Sequence, residues 1–357
     1  MGNGSDRETR VVEQVLPRIR ALVPLGWTVQ AGPARTAGQY VTLRAPNGST
    51  VGFTVVAPRT GMPTHLLLPV LRETARASDR PVLVVANYIG ATLRDLLAAE
   101  GFSFADATGW VRLAVDNPLI LLTGRGADRA PRDRTSSAVT RLNGIAANRT
   151  IRALTTSDLP LGVRALAAAA QVSPGSVSKL LVTLATEGAV DRDDTGRVTA
   201  VRARAVVRRW VADYGFTTSN RGAEFFIAPR GLSRTLQRLT STPLVALTGS
   251  AAARTLLPDG VVPVVPLTLL AVYTPTPTSL AADLGLIPAT ASTANVVIAA
   301  PQDPDILSDD GVSVAPATLV LADLLTLPGR SDAEAEQLMN TLSVTNRSWE
   351  DTNGLRA

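Results

Sequence analysis

Residues 167–190 read AAAAQVSPGSVSKLLVTLATEGAV, and this stretch restricts the chain more than any other. Four consecutive alanines, Ala167–Ala170, favour a helix. Gln171–Ser173 interrupts it after too few residues for a long connection. Ser173 is placed to cap a new helix, with Pro174 at its first position, where a missing N–H costs nothing. That second helix stops at Gly188, a residue suited to the left-handed backbone after a helix end. Leu166, Ala169, Val172, Val177, Leu180, Leu181 and Leu184 recur at spacings that predict one buried seam, and the small alanines allow two helices to cross closely. Two short helices joined by a tight turn make a helix-turn-helix. The charged stretch VDRDDTGRV behind it predicts a two-strand wing with its turn at DDTG.

The polar side of the second helix then gains a meaning. Gly175, Ser176, Ser178, Lys179, Thr183 and Thr186 lie away from the predicted seam. Small and hydroxylated residues there permit close approach to a groove, and Ser173, Ser176, Ser178, Lys179 and Thr183 are the candidates for base-edge or phosphate contact. Arg192 and Arg197 flank the wing turn and suit backbone phosphates or a minor groove. Arg164, Arg202 and Arg204 are further candidates for phosphate contact. Asp191, Asp193 and Asp194 oppose this charge and are expected to shape the turn and pair with neighbouring arginines. Double-stranded DNA is the expected partner. The competing reading is a three-helix scaffold that contacts protein or RNA.

Charge placement agrees with the first reading. The chain of 357 residues carries a net +5. Between Ile120 and Gly215 about fifteen Arg or Lys stand against about eight Asp or Glu, so the surplus of about +7 is focused there. Lys179 is the lone lysine, an arginine bias that fits a GC-rich genome, so the basic pI by itself carries little weight. With no cysteine there is no disulfide, thiol nucleophile or cysteine-based zinc site. His65 is the one histidine and stands at the start of an amphipathic stretch, where a surface or helix-start role is expected. No run of about eighteen uncharged apolar residues appears, and the opening segment lacks a signal peptide's apolar core. A cytoplasmic protein without membrane contact is expected.

Three segments are expected. Residues 1–126 alternate strands and helices as an α/β domain: PVLVVANY is a buried strand, GATLRDLLAAEG a helix with a glycine stop, and QYVTLRAP and TVGFTVVAP a hairpin. A polar, arginine-rich linker, GRGADRAPRDRTSS, follows. Residues 136–215 form the winged helix-turn-helix, opened by a helix over VTRLNGIAANRTIRALTT and closed by RARAVVRRWVADYG. Residues 222–345 form a second α/β domain, after which the polar tail is expected to be loose. The fold class is thus multidomain α/β plus α+β.

The segment VRALAAAAQVSPGSVSKLLVTLATEGAVDRDDTGRV resembles the winged helix of IclR- and MarR-type bacterial regulators. With PVLVVANYIGATLRDLLAAEGFSFADATGWVRLAV before it and FIAPRGL, LVALTGSAAAR and LADLLTLPGRSDAEAEQLM after it, the chain resembles an actinobacterial group of AbiEi-like antitoxins of type IV toxin–antitoxin systems. That resemblance implies a DNA-binding regulator acting as a homodimer, or an autorepressing antitoxin that counters a nucleotidyltransferase toxin. It also implies a restriction-endonuclease-like first domain and a nucleotidyltransferase-like third domain. Both lack the chemistry of those folds. Val56 and Pro58 stand where a nuclease strand needs Glu and Lys, and Asp106 of FADATGW is one carboxylate without a partner. Gly249 and Ser250 match a phosphate-cradling turn, but the next strand, VVPLTLLAVYTP, holds no metal-binding acid. No catalytic residue, metal or cofactor is expected, and a metal-dependent nuclease or nucleotidyltransferase is the rival from a different class.

Overall fold

The computed structural model describes residues 2–35, 38–59, 62–117, 119–131, 141–329 and 331–351. The fold is mixed α/β and divides into two compact units. Met1–Ala138 and Leu181–Thr195 contribute to one, Val139–Leu180 and Gly196–Asp351 to the other. The division passes through the second helix of the helix-turn-helix, so that region is not a separate compact body. Residues 132–140, which hold part of the expected linker and the start of the expected middle segment, lie outside the described residues.

The first unit is built on a seven-stranded sheet whose spatial order follows the chain. Helix α1 (Gly2–Arg20) precedes strands β1 (Thr28–Arg35), β2 (Gly38–Arg44) and β3 (Thr50–Val56), an antiparallel meander. Helix α2 (Thr64–Ala77) leads to β4 (Val82–Ala86), and α3 (Ala91–Ala99) leads to β5 (Ser103–Asp106). These crossovers make β3, β4 and β5 parallel. Strands β6 (Val111–Val115) and β7 (Ile120–Gly124) return antiparallel. Alternation along β4 shows how the layers form. Leu83 and Val85 join Val12, Val15 and Ile19 of α1 in one core. Val82 and Val84 join Leu67 and Leu71 of α2 and Leu97 of α3 in another. The strand is buried on both faces, hence its unbroken apolar run.

Asp106 ends β5 and is spent on the backbone that follows. Its Oδ1 accepts from the N–H groups of Thr108 (2.9 Å), Gly109 (3.0 Å) and Trp110 (3.1 Å) and from Thr108 Oγ1 (2.6 Å). Its Oδ2 accepts from Ile89 N at 3.0 Å. The carboxylate thus organises a turn.

The segment Leu181–Thr195 is anchored within this first unit. Tyr88 Oη donates to Glu187 Oε2 at 2.8 Å, and Asp191 Oδ1 accepts from Thr64 N at 3.2 Å. Asp191 Oδ2 also lies 3.4 Å from His65 Nδ1. His65 therefore has its helix-start position, and Asp191 serves the opening turn of α2 in addition to any part in the wing.

The second unit begins with α4 (Ile145–Thr156), α5 (Val163–Ala169) and α6 (Pro174–Thr186), the last running across the division. The expected first helix over 139–156 starts only at Ile145; Gly144 is extended, and residues 139 and 140 lie outside the described residues. Strand β8 (Val190–Arg192) belongs to the first unit; the second resumes at Gly196, after the wing turn, with β9 (Val198–Val201), α7 (Ala203–Val211) and α8 (Phe216–Ser219). The remainder is β10 (Arg221–Ile227), α9 (Leu232–Leu239), β11 (Val245–Thr248), α10 (Gly249–Leu256), β12 (Leu270–Tyr273), α11 (Pro277–Leu284), β13 (Ile287–Pro288), β14 (Val296–Ala300), β15 (Val312–Val314), α12 (Ala317–Leu324) and α13 (Ser331–Thr345). Its sheet has the order β13-β10-β14-β12-β11-β15, with parallel and antiparallel neighbours.

The polar tail is not loose up to Asp351. Helix α13 extends to Thr345, and Trp349 in the next turn is 2% exposed.

A polar centre lies inside this unit. Asp323 of α12 is fully buried and accepts hydrogen bonds from Tyr214 Oη (2.6 Å), Tyr273 Oη (2.8 Å) and Thr248 Oγ1. Asn220 Nδ2 donates to both tyrosine oxygens, at 3.1 and 3.2 Å. Burial pushes the Asp323 carboxyl up to about 7, although its three hydroxyl donors act the other way.

Candidate nucleic-acid interface

Helix α5 ends in a compact hydrogen-bonded turn. Val172 N donates to Ala167 O at 3.0 Å and Gln171 N to Ala168 O at 3.1 Å, with Gln171 at φ 52°. This is the Schellman pattern made with glutamine where glycine is usual. It brings the chain directly to Ser173. Ser173 Oγ accepts from Ser176 N at 3.2 Å and lies 2.9 Å from Ser176 Oγ, so Ser173 caps α6. Helix α6 closes with the same pattern, Ala189 N donating to Leu184 O at 2.8 Å and Gly188 N to Ala185 O at 3.1 Å.

The apolar positions are close to expectation. Leu166, Val177, Leu180, Leu181 and Leu184 are buried. Ala169 is exposed and Val172 half-buried, while Ala167 and Ala170 are buried. The apolar stripe of the alanine run is therefore rotated from the one expected, because alanine periodicity alone does not mark a face.

The candidate contacts separate by position. Ser173, Gly175 and Lys179 are exposed, and Ser176 and Ser178 half-buried, in the N-terminal half of α6. Arg164 on α5 and Arg197 after the wing turn are exposed; Arg192 and Arg202 are half-buried. Arg197 Nη2 donates to Pro160 O at 3.2 Å, which holds its guanidinium near the start of α5. Asp193 shapes the wing turn, its Oδ1 accepting from Thr195 N at 3.0 Å and Thr195 Oγ1 at 2.7 Å.

Two candidates are corrected. Thr183 is 7% exposed and lies in the half of α6 that belongs to the first unit, so its side chain is withdrawn from solvent. Arg204 is 6% exposed, and each nitrogen of its guanidinium makes a hydrogen bond. Its Nε donates to Trp349 O, Nη1 to Glu336 Oε2 and Nη2 to Asn340 Oδ1, each at 2.6 Å. Three of its five N–H donors are used in this way, and its burial, not exhaustion of its donors, withdraws it from a phosphate and gives it a structural role.

The basic surplus is also smaller than it reads. Arg149 and Arg152 reach the buried Asp303 at 2.6 and 2.7 Å, and Arg149 also pairs with Asp305. Arg208 shares Glu336 with Arg204, at 2.9 Å. These acids lie beyond residue 215 in sequence, so a count over 120–215 misses the charge they cancel.

Sequence reasoning missed one polar site. Ser250 Oγ, in the Gly249–Ser250 turn, donates to Glu334 Oε2 at 2.5 Å. The carboxylate beside this turn comes from α13, 84 residues away, and not from the next strand. No local spacing announces such a pair. Among the described residues no group of three or more His, Cys, Asp or Glu is placed to hold a metal ion.

Residues 149–194 match the family model of the IclR helix-turn-helix domain. The match runs from within α4, through α5 and α6, into the wing turn. No curated protein and no solved structure matches the chain. The chain is thus a mixed α/β protein with a helix-turn-helix domain of IclR type, which supports a DNA-binding transcriptional regulator. No described helix is long and apolar enough to cross a membrane.

Proposed function

We propose that the chain is a cytoplasmic, sequence-specific DNA-binding transcriptional regulator that acts as a homodimer. The N-terminal half of α6 enters a major groove, with Ser176, Ser178 and Lys179 toward base edges and phosphates. Arg164, Arg192, Arg197 and Arg202 contact the flanking backbone. The observation that carries this reading is the coincidence of the IclR-type match with an α6 capped by Ser173 and exposed at Ser173, Gly175 and Lys179. The N-terminal residues of a recognition helix are the ones that reach bases. Dimerisation is part of the proposal because one winged helix reads few base pairs, and a two-fold operator doubles the contact.

The test is sequencing of genomic fragments selected by the purified protein, followed by affinity measurement on the enriched site and on random DNA at one salt concentration. A ratio of at least about a thousand is expected. Equal affinities would leave a DNA-packaging role in place of regulation, and no binding to either DNA would remove the reading. Two chains per site are expected by light scattering.

We read the flanking sheets as nuclease-type and nucleotidyltransferase-type folds that act without turnover. Asp106 is spent on the 106–110 turn, and Ser250 faces a carboxylate where a phosphate cradle needs donors. Incubation with magnesium, nucleotides and DNA should show no reaction; turnover abolished by Ser250→Ala or Asp106→Asn would overturn this. The antitoxin role that the resemblance implies adds a toxin partner to the same DNA-binding chemistry, and co-purification with the product of an adjacent gene tests it.

A further inference from the structure

The second unit contains a cavity of about 440 Å³ beside the Gly249–Ser250 turn. Cavities that bury small ligands are typically about 300–1,000 Å³, mostly apolar, with a few placed polar groups. This one has that make-up. Val264, Val265, Pro266, Leu269, Leu324 and Leu327 supply apolar wall.

Its ionisable member is Glu334, in the first turn of α13 and 4% exposed. One carboxylate oxygen, Oε2, accepts from Ser250 Oγ. The other, Oε1, is buried and has no hydrogen-bond partner among the described residues. A buried acceptor left this way is unfavourable, so its persistence beside a cavity calls for a donor. The nearby cation does not supply one: Arg254 Nη2 donates to Val265 O at 2.5 Å, and its Nε is buried without a partner among the described residues, so Arg254 acts on Glu334 through its charge alone. Burial holds the Glu334 carboxyl above its ordinary range, with Ser250 and the Arg254 charge drawing it back down.

The group that lines the cavity is the carboxylate; Arg254, whose charge acts on it, is absent from the lining. A carboxylate against Ser250 repels a phosphate or carboxylate placed at that turn. It attracts a donor, and most of all a cationic one, since a charge-assisted hydrogen bond is about twice as strong as a neutral one.

We propose that this cavity binds a small molecule with an apolar body and a protonated amine, the amine donating to Glu334 Oε1 while Ser250 holds the carboxylate in place. The apolar body lies against Val264, Leu269 and Leu327. The site is independent of the DNA-binding reading.

The test is calorimetric titration of the full-length protein, without DNA, using 2-phenylethylamine and its anionic near-isostere 3-phenylpropanoate. Saturable binding of the amine at one per chain is expected, with no binding of the anion. Glu334→Gln should weaken amine binding at least tenfold. Val264→Trp, at a position 53% exposed, should abolish it by filling the cavity without disturbing the core. Thermal melts establish that each variant is folded; if Glu334→Gln is not, Val264→Trp decides. The proposal is overturned if the amine fails to bind, if the anion binds as well, or if folded variants bind like the wild type.

Discussion

Gly90 lies directly against the backbone of Glu187: a Cβ at position 90 would sit 2.5 Å from the Glu187 carbonyl oxygen and 2.6 Å from its Cα. Tyr88, two residues earlier, donates to the side chain of the same glutamate. The end of α6 is thus seated on the start of α3 within one compact unit. Gly90→Ala forces backbone against backbone and is expected to destabilise that unit by about 1–3 kcal/mol. Urea denaturation read at the tryptophans checks it, and an unchanged midpoint would show that this seat is loose.

Lys179 and Arg204 are expected to part company. Lys179→Ala leaves stability within about 0.5 kcal/mol. If Lys179 contacts phosphate, it weakens DNA binding and reduces the salt slope by about one. Arg204→Ala acts through the fold: it removes three hydrogen bonds and costs about 2 kcal/mol. That lies below the 3–5 typical of a broken buried pair, since Glu336 remains partly exposed. Paired melts and anisotropy titrations distinguish the two. A stable Arg204→Ala protein with selectively weakened DNA binding would restore Arg204 to the interface.

Ser173→Ala removes the oxygen that accepts from Ser176 N. A loss of about 1 kcal/mol is expected from the missing cap. Because the same turn presents the N-terminal half of α6, DNA affinity should fall with it. Ser173→Asp, which keeps an acceptor, is expected to recover the stability. Its added negative charge would leave the affinity low if phosphates lie close.

Asp323 gives the second unit a pH dependence of defined sign. Burial raises its folded carboxyl from the ordinary 3.8 to about 7, so the folded state holds the proton more tightly than the unfolded one. This contribution is fully present below about pH 4 and is lost as pH rises through about 7, by at most about 4 kcal/mol. Asp323→Asn carries no titrating proton. Wild-type stability relative to this variant should fall between pH 4 and 7 and level off above, measured by denaturation at each pH. A rise over that interval would reverse the assignment.

Most helices were legible because their apolar residues recur at helical spacing, and β4 because a strand covered on both faces reads as one apolar run. Strand β1 was not, since Gly32 and Pro33 interrupt any alternation. A Cβ at Gly32 would fall 1.9 Å from the Tyr40 ring, so the glycine there makes room for an aromatic on the neighbouring strand. Strands β13 and β15, of two and three residues, are too short to carry a period. The helix-turn-helix was legible from local chemistry: a cap, a proline, a glycine stop. What periodicity does not report is which distant segment covers a polar face. Arg204 was assigned to DNA because Glu336, Asn340 and Trp349 lie more than 130 residues away. Glu334 was overlooked beside Ser250 for the same reason.

The passage of α6 from one compact unit to the other has a practical corollary. A fragment cut at 136 and 215 would keep the Ser173-capped end of the helix and discard the ground beneath its far end. Thr64, Tyr88 and Gly90 would be gone, and with them the hydrogen bonds that Thr64 N makes to Asp191 and Tyr88 Oη makes to Glu187. Grafting this motif onto another scaffold therefore means carrying α2 and α3 along with it.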